Sequence, residues 1–284
     1  MSKILACVDA SSHAEPVCDL AAWVANRLGW EVELLHVLQR KSAVPVRNDL
    51  SGAIGLGVKS ELLEELTRIE EAQGKIAMEA GRALLASAES RLRAAGVEST
   101  TTVHLHGGIV ETILEREVAA SLIVMGKRGA SSQFAPGHIG SKIERVLRAS
   151  DKPMLVAPER LPDLRRLVIA YDGGKSITRA VTLLQNSPLF KDLPVQLVMA
   201  GTESADRRDK LEQIVDEFQQ AGRTASSQLV AGPAEQVIAE AVRAQPDSVL
   251  IMGAYGHSPL RNLIVGSTTT TMIRTIDAPI LLIR

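Results

Sequence analysis

The chain has 284 residues, 45% of them hydrophobic but only 2% aromatic, and its 32 Lys and Arg nearly cancel its 33 Asp and Glu. Two domains are the natural division of that length, and a core of Ala, Val, Leu and Ile favours α/β packing over an aromatic-rich sandwich or barrel. Balanced charge leaves no global field to draw the chain to nucleic acid or to an anionic membrane, so neither is expected as a partner.

Cys7 lies in the first apolar run and Cys18 in the first helical pattern. Two reduced, buried thiols are the expectation. The amino-terminal run Ile4–Val8 is too short for the core of a signal peptide, and no run approaches a membrane span. A cytoplasmic protein is expected.

Taken in order, Ile4–Val8 reads as a buried strand ending at Asp9, and Ala14–Leu28 as a helix with Val17, Leu20, Ala21, Val24 and Leu28 on its apolar stripe. Val32–Leu38 is a second strand. Lys41–Gly57, with Pro45, Gly52, Gly55 and Gly57, reads as a mobile loop. Lys59–Ala95 has helical periodicity, weakened at Gly74 and Gly81, and Gly96 is placed to end it. Thr101–Leu105, Ser121–Met125 and Pro153–Ala157 are further strands, alternating with helices at Ile109–Ala119 and Ser141–Ala149. That alternation predicts a parallel sheet flanked by helices, a doubly wound fold.

The pattern then restarts. Leu167–Tyr171 ending at Asp172 repeats the first strand and Asp9, Ser248–Gly253 repeats Ser121–Gly126, and Ala278–Leu282 repeats Lys152–Val156. The chain is an internal duplication, with expected domains 1–158 and 163–284 joined at Ala157–Pro162. From Asp9 to Gly126 is 117 positions (126 minus 9), and from Asp172 to Gly253 is 81 (253 minus 172). The second half has therefore lost 36 residues, and its second helix is the shorter Asp206–Ala221.

The strongest motif begins at the end of the run Ser248–Met252. Gly253 and Gly256 sit three apart, nine residues separate Gly256 from Gly266, and Gly266-Ser267 opens a helix with Met272, Ile273 and Ile276 on one face. Bare amides at a helix start, with hydroxyls beside them, suit a phosphate group. The earlier glycines let a flat ligand lie against the strand's carboxyl end. This G-x2-G-x9-G-S spacing resembles the nucleotide-binding motif of the universal stress protein family, and the tandem arrangement resembles its double-domain members over essentially the whole chain.

The resemblance implies two tandem, doubly wound, five-stranded parallel-sheet domains of the Rossmann-like, adenine nucleotide alpha hydrolase-like type. They would be packed as a pseudo-dimer through their final strands, with Met154–Val156 and Ile280–Leu282 near the interface. It implies ATP, or ADP or AMP, in the second half, with Mg as an optional companion. Asp172 would face base or ribose beside Ala170 and Tyr171. Val198 and Met199 would meet adenine through their backbone, and Gly253, Gly256, His257 and Gly266 would admit the ligand. Ser267, Thr268 and Thr269 would hold phosphate. Asp172-Gly173-Gly174-Lys175-Ser176 departs from the family's usual Asp-Gly-Ser and leaves the part of Lys175 open.

The first half offers Asp9, Val37, Gly126, Gly129, Gly140 and Ser141 at matching places, but ten residues precede Gly140 and the loop carries Phe134, Pro136 and Gly137. Lys127, Arg128 and Lys142 make it more basic. A degenerate half used for pairing, or a site for a different small anion, is as good a reading as a second nucleotide site. Gly174-Lys175-Ser176 is no P-loop, because Ile169 stands where the first glycine belongs.

His104 and His106 point to one face of the third strand, yet no third zinc ligand is evident, and a structural or exposed pair is the preferred reading. There is no G-x-S-x-G elbow, Cys/His pairing or paired carboxylates, and the resemblance leaves slow ATP hydrolysis or autophosphorylation open. The function expected is a non-enzymatic, nucleotide-dependent stress-response protein with an unidentified protein partner and a tendency to homodimerise. The alternatives are a nucleotide-free adaptor and a weak ATPase.

Overall fold

The computed structural model describes residues 2–39, 56–129, 141–185, 187–254 and 266–284. Most of the expected loop Lys41–Gly57 lies outside these, as do Gly140, Gly256 and His257; Leu56 and Gly57 already belong to a helix.

The first half runs β1 (Lys3–Cys7), α1 (Ala14–Leu28), β2 (Glu31–Leu38), α2 (Leu56–Ala94), β3 (Thr100–His106), α3 (Ile109–Glu117), β4 (Leu122–Gly126), α4 (Ser141–Ala149) and β5 (Met154–Ala157). The second runs β6 (Arg166–Ala170), α5 (Lys175–Gln185), a 3-10 turn at Pro188–Phe190, β7 (Val195–Ala200), α6 (Ala205–Gln220), β8 (Ala225–Val230), α7 (Ala234–Arg243), β9 (Ser248–Gly253), α8 (Ser267–Thr275) and β10 (Ile280–Ile283).

The ten strands among the described residues form one sheet in the order β3-β2-β1-β4-β5-β10-β9-β6-β7-β8. Each half is a five-stranded parallel sheet of the order 3-2-1-4-5, and the two orders meet as mirror images. The join is the one antiparallel pair among the described strands, β5 with β10, in the register Ile280↔Val156, Leu281↔Leu155, Leu282↔Met154. These are the final strands that the family resemblance implied at the interface. Their inner position explains their composition: β5 and β10 are buried along their whole length, as strands covered on both faces must be.

Two apolar layers cover the sheet. Side chains of α1, α2, α5 and α6 pack on one face with Ile4, Ala6, Leu167 and Ile169. Those of α3, α4, α7 and α8 pack on the other with Leu5, Ile123, Val168 and Leu250. Alternate residues of one strand thus serve opposite layers, and the molecule is a three-layer α/β/α sandwich.

The longest element, α2, has 39 residues and passes through Gly74 and Gly81 without interruption. Gly96 ends it as expected: its φ is +87°, which suits glycine, and the Val97 amide donates back to Leu92 O at 3.0 Å. Among the described residues the helix is anchored most firmly towards its carboxyl-terminal end. Leu85, Ala88 and Leu92 are buried, and Arg91 meets Asp19 of α1 at 2.6 Å and Glu15 at 2.9 Å. Residues 64–76 are exposed throughout.

Candidate functional site

The carboxyl ends of β1, β4, β6 and β9 lie at the two reversals of strand order, where a doubly wound sheet opens a crevice. Backbone geometry there repeats between the halves. The Val8 amide donates to Leu35 O at 2.9 Å, and the Tyr171 amide to Val198 O at 2.9 Å. Lys127 N donates to Ala157 O at 3.2 Å, and Ala254 N to Ile283 O at 2.8 Å. Asp9 and Asp172 therefore occupy equivalent places at the ends of β1 and β6. Each carboxylate turns back on its own loop, Asp9 Oδ1 accepting from Ser11 N at 3.2 Å and Asp172 Oδ1 from Gly174 N at 2.8 Å. Such turns suit the start of the following helix.

In the first half this crevice is a cavity of about 80 Å³. Its floor holds Cys7, Val8 and Asp9, and Val37, Gly126, Gly129 and Lys142 line it, so the first-half candidates among the described residues come together with the exception of Ser141. Ile109 and Ile113 of α3 complete the wall; an apolar helix face gave no sequence signal that they would reach a ligand. Both glycines permit close approach. A Cβ on Gly126 would lie 2.5 Å from His13 Cβ, and one on Gly129 would lie 2.6 Å from Asp9 Oδ2. His13 is buried, with a ring nitrogen that has no hydrogen-bond partner, and a lone histidine before a helix gave no sequence signal.

The cavity is cationic. Lys127, Arg128 and Lys142 all line it. Burial pulls the Lys127 ammonium down to about 8, and Arg128 adds to the effect while Asp277, from the turn before β10, opposes it. A half-dehydrated ammonium beside a second cation gains by an incoming anion, so these residues fit a phosphorylated ligand. Burial also lowers His13, with Lys127 and Arg128 acting the same way against Glu159 and Asp9. Burial pushes the Cys7 thiol up to about 12, which makes it a packing group rather than a nucleophile.

The second-half candidates fall into two sets. Ala170 and Val198 face the layer of α7 and α8, on the crevice side, while Tyr171 and Met199 face the opposite layer. The Tyr171 hydroxyl lies 3.3 Å from Thr178 Oγ1 of α5. Strand register also refines the pairing of the halves. Cys7 opposes Leu35 and Ala170 opposes Val198, so Leu35 is the counterpart of Val198, and Val37 that of Ala200.

Gly266, with no side chain to cap them, leaves the first amides of α8 to solvent or an anion, and Ser267 opens the helix beside it. Thr268 and Thr269 are engaged within the protein. Thr268 Oγ1 donates to Glu235 Oε1 of α7 at 2.8 Å. Thr269 is buried and its hydroxyl lies 3.3 Å from Gly253 O and 3.2 Å from Ala254 O, tying α8 to the end of β9.

The model of the universal stress protein family matches residues 1–158 and again residues 174–284. A universal stress protein of Synechocystis sp. is 34% identical over 290 residues, covering all of both chains. Among solved structures, a universal stress protein of Archaeoglobus fulgidus superposes with a TM-score of 0.74 at 20% identity, over 99% of this chain and 97% of its own. A Pseudomonas aeruginosa protein superposes with a TM-score of 0.65 at 14% identity, over 99% and 92%. At those identities the structural likeness is one of fold. No helix among the described residues is long and apolar enough to cross a membrane. The double match to the family model and the full-length relative settle the family: this chain belongs to the universal stress proteins, in tandem form.

Proposed function

We propose that this protein is a nucleotide-dependent regulatory protein that binds adenine nucleotide at the carboxyl edges of its halves. The second half takes ATP through its G-x2-G-x9-G-S motif. The first half takes a phosphorylated ligand in the cavity between Asp9, Val37, Gly126 and Gly129. The observation that carries the reading is that cavity: a doubly wound switch point, floored by backbone and glycine, with Lys127, Arg128 and Lys142 around it. Binding would bias the loops at this edge and hence the surface offered to a protein partner. The domains 1–158 and 163–284 act as a built-in pair.

The test is to denature protein purified without added ligand and to identify what is released by chromatography and mass spectrometry. About one adenine nucleotide per chain supports one occupied half and about two supports both. Gly266→Val, which intrudes at the phosphate turn, assigns the second half if its share is lost. Lys142→Gln does the same for the first. If nothing is released, and added ATP neither binds nor raises the melting temperature, the reading fails and a nucleotide-free adaptor replaces it.

A further inference from the structure

The histidines left aside by the sequence reading have a third companion. His36 of β2 and His104 of β3 are register partners on adjacent strands. Their ring centroids are 5.2 Å apart, and those of His104 and His106 are 6.3 Å apart and nearly parallel. The row lies under α2. A Cβ on Gly81 would stand 2.4 Å from His104 Cε1, 2.5 Å from its Nε2 and 3.0 Å from His36 Cδ2, so the helix backbone rests directly on the rings. From the same helix Met78 Sδ meets His106 Nε2 at 2.9 Å.

No set of three His, Cys, Asp or Glu side chains among the described residues is arranged to hold a metal ion, so the row is not a ready-made metal cage. Its hydrogen bonding points elsewhere. His36 Nδ1 lies 2.8 Å from Val8 O, which can only accept, so Nδ1 carries the hydrogen. Both ring nitrogens of His104 are buried without a hydrogen-bond partner.

We propose that His104, held between His36, His106 and the backbone of Gly81, is an acid-released latch whose protonation undocks α2 from the sheet edge back to the anchored turns that begin at Leu85. A proton on His104 finds no acceptor, and the titratable and charged groups acting on it are all basic: His36 from β2, His106 on its own strand and Arg82 from α2. Burial first, and then these neighbours, hold its pKa below the ordinary 6.5. Docked α2 thus favours a neutral His104, and undocking exposes that ring to water and to protonation. Docking is complete above about pH 6.5 and is lost as the pH falls below it. Gly81 marks the boundary, because residues 64–76 beyond it are already exposed. The second half supplies an internal control. By register Met199 corresponds to His36 and its partner Leu229 to His104, so the shorter α6 covers no such row. The latch does not depend on nucleotide.

Hydrogen–deuterium exchange of the full chain at about pH 7.5 and about pH 5.5, corrected for intrinsic rates, tests it. Amides from Met78 to Leu84 should lose up to about tenfold in protection, since one unit below 6.5 an exposed imidazole is about tenfold more often protonated than neutral. Those of α6 should not. His104→Leu, which copies Leu229, should reduce the acid loss in α2; if that variant misfolds, His104→Gln serves the same end. Equal protection of α2 at both pH values in the unaltered protein overturns the proposal. So does an acid loss that is undiminished in the His104 variant, or one that α6 shares.

Discussion

The two carboxyl edges of this molecule have the same backbone and different electrostatics. Paired amide-to-carbonyl bonds hold the end of β1 as they hold the end of β6, and the turn after β4 as the turn after β9. Yet where the first half has Lys127, Arg128 and Lys142, the second has Ala254, Tyr255 and Thr268, and it adds Glu235 against the Thr268 hydroxyl. The scaffold fixes where a ligand can lie, while a few side chains decide what charge it can carry. A glycine spacing reports the first and is blind to the second.

The largest effect should come from breaking the strand pair that makes the halves one body. Leu155 is 1% exposed and faces Leu281 across the antiparallel join. Leu155→Ala should cost about 2–5 kcal/mol, the range for emptying a well-packed site. Denaturant unfolding can be followed by the fluorescence of Trp23 and Trp30, both in the first half, and by circular dichroism of the whole chain. Coincident transitions, both shifted, are expected. A first-half transition that moves alone would mean that the halves fold independently and that the join adds little.

Much of this was legible beforehand because burial on both faces leaves a plain mark. β1, β5, β9 and β10 are short apolar runs with no other interpretation, and α1 and α4 were placed to the residue. The family resemblance then implied the join of the two final strands. Side-chain direction was far less legible. Val198 and Met199 are neighbours in sequence but serve opposite faces of the sheet. Thr269 is buried, and its hydroxyl lies against the carbonyls at the end of β9, a contact that the glycine spacing does not report. Arg223 gave no signal at all, although it is buried and its guanidinium donates to the carbonyls of Leu184, Phe190 and Leu193. The third histidine of the row was missed for a related reason: His36 joins His104 only through register, and register is a property of two strands together.

A second prediction converts one half towards the other. Lys127→Met removes the buried ammonium where the second half has Ala254, and should stabilise the ligand-free protein by on the order of 2 kcal/mol near neutral pH. The sign follows from the shift. With its folded pKa lowered from 10.5 to about 8, Lys127 imposes its full penalty below about pH 8 and is relieved as the pH rises towards 10.5. Cys7 and Cys18, both pushed up to about 12 by burial, work the other way above pH 9. The difference between the two proteins cancels the thiols, so the stability gap should close as the pH rises. The same substitution should weaken binding of a triphosphate in the first half about tenfold or more, measured by calorimetry in the Gly266→Val background. A variant that is more stable yet binds equally well would detach Lys127 from the ligand.

The smallest effect separates a structural hydroxyl from a ligand contact in the second half. Thr269→Val keeps the branched shape of a buried side chain and removes only the hydroxyl between Gly253 O and Ala254 O. The two carbonyls, at the end of β9, belong to the motif's first glycine and to the residue after it. Leaving them short of a donor should cost about 1 kcal/mol of stability. If the hydroxyl is only a tie, nucleotide affinity should fall less than about threefold, because the α8 amides stay where they are. An affinity loss of about tenfold or more with unchanged stability would instead show that the hydroxyl turns to the phosphate when ligand arrives. Thr268→Val is the matched control. Freeing Glu235 from its hydroxyl donor leaves an unpaired carboxylate close to the start of α8, and anion binding should weaken there even if the threonine itself never touches the ligand.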